Sequence, residues 1–112
     1  MIIGTFIIDF QTVEFETDSK IASDMLDSFQ SEFKLTDAYA LDDPMDSAGW
    51  SFAKLFMAGQ LVEYIYAKNE AAVNSSRGKK FEDKFISWLG LELKGKGCNA
   101  QIKIAREMKS SF

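Results

Sequence analysis

Four carboxylates, Asp37, Asp42, Asp43 and Asp46, fall within a stretch from Leu35 to Trp50 that contains no Lys or Arg. Side chains of this type and density can do three things. They can stay solvated, with Asp43 and Asp46 tending a helix start. They can chelate a hard cation such as Ca²⁺ or Mg²⁺, or they can meet the basic surface of another molecule. Chelation is poorly supported, because the alternating ligand positions, the central Gly and the terminal Glu of a calcium loop are absent. General acid–base chemistry is poorly supported too. The chain has no histidine, which removes the commonest proton carrier and metal ligand and every Ser–His or Cys–His nucleophile. The remaining carboxylates, lysines and tyrosines form no paired constellation. No catalytic residue, cofactor or metal ligand is therefore expected.

Tyr39 and Trp50 flank the acids. Carboxylates that steer, beside aromatic rings that anchor, are what a protein-binding surface uses. In the competing reading Trp50 packs in the core at a sheet edge. Asp24 and Asp27, on the helix expected upstream, are secondary candidates for the same surface.

The rest of the chain offers weaker signals. Cys98 is the only cysteine, so it closes no internal disulfide, and without a base or a resolving partner it reads as incidental. "SSRGKKFEDKF" places Gly-Lys-Lys before a helix, where a phosphate could sit, but it lacks the P-loop pattern. Arg77, Lys79, Lys80, Lys84, Lys94, Lys96, Lys103, Arg106 and Lys109 gather late in the chain. With Tyr64 and Tyr66 alternating on an expected strand and Phe6 on the first, they outline an RNA platform. The ribonucleoprotein signature is missing there, and a net charge of −4 opposes phosphate.

Charge is divided along the chain. The first 47 residues hold eleven acids and two bases, a balance of −9, and residues 48 to 112 hold six acids and eleven bases, a balance of +5. Such asymmetry speaks to partners rather than to fold. Part of it can cancel internally, if an acidic first helix packs beside a basic second one. The loop from Leu35 to Trp50 has no local cation to do the same.

The elements that must position these residues follow from hydrophobic periodicity. A chain of 112 residues makes one domain, and its ten Phe promise a core of rings. Thr5 to Phe10 reads as a buried strand, which Thr12 to Glu16 extends past a bulge or pairs with as a hairpin. Asp18 or Ser19 then caps a helix whose apolar row is Ile21, Met25, Phe29 and Phe33. Asp43-Pro44 reads as a short helical turn. Trp50 to Lys68 reads as a hairpin of two strands, Phe52 to Met57 and Leu61 to Ala67, because Val, Ile and Tyr favour strands; a helix is the alternative. A second helix carries Phe81, Phe85, Trp88 and Leu89 and ends at Gly90. Ala100 to Glu107 alternates as a final strand.

The expected fold is therefore α+β: an antiparallel sheet with two helices on one face in ferredoxin-like β-α-β-β-α-β order. "MIIGTFIIDF" has no basic stretch and is interrupted by Asp9, so it reads as neither a signal peptide nor a membrane span, and a cytoplasmic protein is expected. The function expected is a non-catalytic protein-binding module, an inhibitor, immunity or anti-defence protein whose acidic surface docks on a basic partner such as a nucleic-acid enzyme or a toxin. Alternatives are a nucleic-acid-binding module built on the basic half, or a structural subunit of a larger assembly.

Overall fold

The computed structural model describes residues 4–105. Arg106 and Lys109 of the basic cluster, and the end of the expected last strand, lie outside the described residues. Within them the chain runs β1 (Phe6–Thr12), α1 (Phe15–Phe33), β2 (Tyr39–Leu41), β3 (Met45–Ser47), β4 (Trp50–Met57), α2 (Gly59–Lys68), α3 (Glu70–Asn74), α4 (Phe81–Gly95) and β5 (Gln101–Ile104). The architecture is α+β, with five strands in one antiparallel sheet and four helices among the described residues. Sheet order is β2-β4-β1-β5, and β3 also pairs with β4.

Period-two alternation builds the sheet. On β1, Phe6, Ile8, Phe10 and Thr12 are buried while Ile7, Asp9 and Gln11 are half-buried. Phe6, Ile8 and Phe10 lie opposite Met57, Leu55 and Ala53 of β4, all buried. Ile102 and Ile104 of β5 line up with Phe10 and Ile8. The buried apolar side chains of all four helices join this same core. Aromatic rings fill it in edge contacts: Phe6 meets Phe85 at 5.5 Å between centroids, and Phe10 meets Phe15 at 6.2 Å.

Four boundaries differ from the sequence reading. The first strand stops at Thr12, and α1 opens at Phe15 rather than at Asp18 or Ser19. The Thr12 hydroxyl accepts the Glu14 N–H at 3.0 Å, a local turn that reverses the chain, so Phe15 drops onto Phe10 and Thr12 to Glu16 neither extends the strand nor pairs with it. Asp43-Pro44 starts no helical turn; it lies between two short strands. Leu61 to Ala67 is helix, within α2. Leu61, Val62 and Ile65 are fully buried at helical spacing, so tertiary burial overrides the strand preference of Val, Ile and Tyr. Finally, α4 runs through Gly90 to Gly95, because Leu93 continues the buried row of Phe85 and Leu89.

Candidate functional site

The acidic stretch forms the sheet edge, folded back against β4. Leu41 pairs with Leu55 and Met45 pairs with Phe52. Four steps along the edge therefore match three along β4, and the extra residue makes a bulge at Asp42-Asp43-Pro44. Asp42 stitches the bulge down. Its N–H donates to the Lys54 carbonyl at 3.0 Å, and its Oδ1 accepts the Lys54 N–H at 2.6 Å. β3 then returns into β4 through Ala48 (φ 53°) and Gly49 (φ 84°), the two left-handed positions of a type I′ hairpin turn.

The eight expected site residues are distributed as follows. Asp43 and Asp46 are exposed on the bulge and on β3, and Asp46 accepts the Ser51 hydroxyl at 2.7 Å. Asp37, exposed and left-handed at φ 53°, sits in the loop entering β2. Among the described residues no Lys or Arg pairs with Asp37, Asp43 or Asp46. Trp50 is half-buried at the start of β4, opposite Ser47. Tyr39 ties β2 to α1: its O–H donates to Asp27 at 2.7 Å and lies 3.3 Å from the Ser23 carbonyl. Burial, with the bond to Asp27 behind it, pushes the Tyr39 phenol above its ordinary value. Asp24 pairs with Lys20 at 3.2 Å along the exposed face of α1. The structure thus brings Asp42, Asp43 and Asp46 together with Trp50, leaves Asp37 in the loop before them, and gives Asp24 and Asp27 internal partners.

Two residues not among the expected site residues lie beside these acids. Met45 and Phe52, opposite each other across β3 and β4, are 77% and 40% exposed. Their signal lay in "WSFAKLFM", where Phe52, Lys54 and Phe56 alternate with the buried Ala53, Leu55 and Met57. The alternation puts Phe52 and Phe56 on the sheet face away from the core, together with Ile7, Asp9 and Gln11 of β1. Lys54 forms an ion pair with Asp9 there.

The basic half presents a different picture. Tyr64 and Tyr66 stand on a helix rather than on a strand, so the RNA platform loses its expected rings. Tyr64 meets Phe33 at a tilt with 5.4 Å between ring centroids, and Tyr66 meets Phe81 edge-on at 5.0 Å. Lys68 pairs with Glu32 of α1, part of the internal cancellation that the charge pattern allows. Arg77, Lys79 and Lys80 are exposed before α4. Cys98 is buried; burial, ahead of its contact with Asp18, pushes the thiol up, which opposes reactivity.

Among the described residues no three Asp, Glu or Cys side chains converge as a metal site, and no helix is long and apolar enough to cross a membrane. Comparison with protein-family models, with curated proteins and with solved structures found no match.

Proposed function

We propose that this chain is a non-catalytic protein-binding module whose β2–β3 edge docks on a basic surface of another protein. One observation carries the reading: Asp37, Asp43 and Asp46 are exposed and, among the described residues, without a cationic partner, and the ion pairs among those residues lie elsewhere. Unscreened carboxylates on one edge pre-orient a positive partner and raise its association rate. Trp50, Met45 and Phe52, beside them, supply the apolar contact that sets the lifetime of the complex. An inhibitor, immunity or anti-defence protein that covers the phosphate-binding site of a nucleic-acid enzyme or a toxin has this chemistry. The lack of any histidine in the sequence supports a role without catalysis, and the single, buried Cys98 supports a cytoplasmic setting. The scaffold reads as ferredoxin-like when β2 and β3 are taken as one bulged second strand, a reading that the order β2-β4-β1-β5 supports.

The test is capture from an extract of the native host at low salt, followed by binding kinetics with the protein identified. The variant Asp37→Asn, Asp43→Asn, Asp46→Asn is expected to associate about tenfold more slowly, with a flattened salt dependence. Equal association rates for the variant and the parent would remove these residues from the docking surface.

A further inference from the structure

The sheet face opposite the core carries a charge pattern of its own. Reading across the strands at one level, Asp42 lies beside Lys54, Lys54 lies opposite Asp9, and Asp9 lies opposite Lys103. The signs alternate minus, plus, minus, plus from one edge of the sheet to the other. Around this stripe stand apolar groups outside the core cluster. Ile7 faces Phe56 on one side of it, and Phe52 faces Met45 on the other.

We propose that a second copy of this chain covers this face, the two sheets stacking about a two-fold axis parallel to the strands and running between β4 and β1. Such an axis reverses the order of the strands but keeps the level along them. Asp42 then meets Lys103 of the second copy, and Lys54 meets Asp9 of the second copy; each contact recurs by symmetry, as an isologous interface requires. Every position in the stripe faces its opposite charge. A dyad running across the strands at this level would lay each strand over its own copy and set like charges against each other, so the pattern selects the axis. The same operation lays Ile7 on Phe56 of the second copy, and Phe56 on its Ile7. Apolar contact supplies the attraction, and the stripe fixes the register, since buried ion pairs serve specificity better than affinity.

The size of the face sets the strength. β1, β4 and the β2–β3 edge run about seven residues each and β5 four; at about 3.4 Å per residue and about 4.8 Å between strands they present about 400 Å² per copy. That is below the size of a standard interface, so the dimer is weak, reversible and dissociates on dilution. Asp37, Asp43 and Asp46 take no part in the stripe, and the two acidic edges end on opposite sides of the dimer. Met45 and Phe52 border both the stripe and the proposed docking edge.

Sedimentation equilibrium of the full chain at low salt, over a dilution series reaching millimolar protein, tests it. The parent is expected to show a monomer–dimer equilibrium. Lys103→Asp, at an exposed position, is expected to weaken dimerisation about tenfold or more, and so is Asp42→Lys. Combining the two restores opposite signs and returns the dissociation constant to within about threefold of the parent. Should Asp42→Lys unsettle the edge strand, seen as lost near-ultraviolet dichroism, Lys103→Asp and Phe56→Ser carry the test without it, each weakening the dimer. A parent that stays monomeric throughout, or a dimer indifferent to Lys103→Asp, overturns the proposal. So does a monomer that dimerises only after residues 106–112 are deleted, which would give the face to the chain's own end.

Discussion

Asp18 has no exposed surface although it is a carboxylate. Its Oδ2 accepts the Thr12 hydroxyl, its Oδ1 accepts the Asn99 N–H at 3.1 Å, and its carbonyl receives the Cys98 thiol at 3.7 Å. One side chain thus pins the end of β1, the first turn of α1 and the approach to β5. The sequence suggests Asp18 only as a cap, because its partners at Thr12 and Asn99 become neighbours only after the sheet closes. Asp18→Ala leaves the buried Thr12 hydroxyl unsatisfied, at about 1–3 kcal/mol, and removes the acceptor of the part-buried Asn99 N–H, at a smaller cost of about 1 kcal/mol. A urea titration is expected to show a loss of about 3 kcal/mol, against about 0.5 kcal/mol or less for Asp24→Ala on the exposed face of the same helix. Equal losses would deny Asp18 the pinning role. Tyr39 and Cys98 add a pH dependence. Both are held above their ordinary values of 10.0 and 9.0, first by burial. The unfolded chain therefore ionises first as pH rises, the folded chain retains the protons longer, and stability is lost in the alkaline direction. The urea midpoint is expected to be level below about pH 8.5 and to fall from about pH 9 upward; a midpoint that rises there contradicts the assignment.

Elements whose burial is periodic were legible in the sequence. The row Ile21, Met25, Phe29 and Phe33 lies inside α1, Phe85 and Leu89 lie inside α4, and the runs read as strands over Thr5 to Phe10, Phe52 to Met57 and Ala100 to Glu107 overlap β1, β4 and β5 within the described residues. Two elements were not legible, for opposite reasons. α2 is written in strand-favouring residues and is helical because Leu61, Val62 and Ile65 must face the core together. The β3–β4 hairpin carries almost no hydrophobic signal, since Met45, Asp46 and Ser47 are all exposed, and only pairing with β4 makes them a strand. Its turn also lacks the usual Asn-Gly pair: Ala48 occupies a left-handed position at φ 53°. An L-residue with a Cβ is penalised there by about 1–2 kcal/mol, and Asn or Gly much less. Ala48→Asn, completing an Asn-Gly turn with Gly49, is accordingly expected to stabilise the fold by about 0.5–1 kcal/mol in chemical denaturation. A loss of stability would mean that the turn is not of this type.

At the scale of the molecule, the proposed docking surface was visible as a run of acids, but its setting was not. Only the sheet register reveals that Asp42 is tied to the β4 backbone, that Asp27 holds Tyr39, and that Asp43 and Asp46 stand clear beside Met45 and Phe52. The division of charge along the chain becomes partly internal cancellation, through Lys54 with Asp9 and Lys68 with Glu32, and partly an uncancelled edge. Like charges held together on an edge repel one another, and a fold keeps such an arrangement at some cost to its stability. The two roles open to these acids therefore predict opposite outcomes. If they serve the fold, neutralising them destabilises it. If they serve a partner, Asp37→Asn, Asp43→Asn and Asp46→Asn together leave the melting temperature unchanged or raise it by a few degrees. An asparagine tolerates the left-handed position 37 at least as well as Asp, and the side-chain carbonyl of an asparagine at position 46 can still accept the Ser51 hydroxyl. Raising the salt concentration should stabilise the parent slightly by screening this repulsion, and should do so less for the neutralised variant. Thermal melts of both proteins at low and high salt decide the matter, and a variant that melts well below its parent would show that the acids hold the molecule together and are not available to anything else.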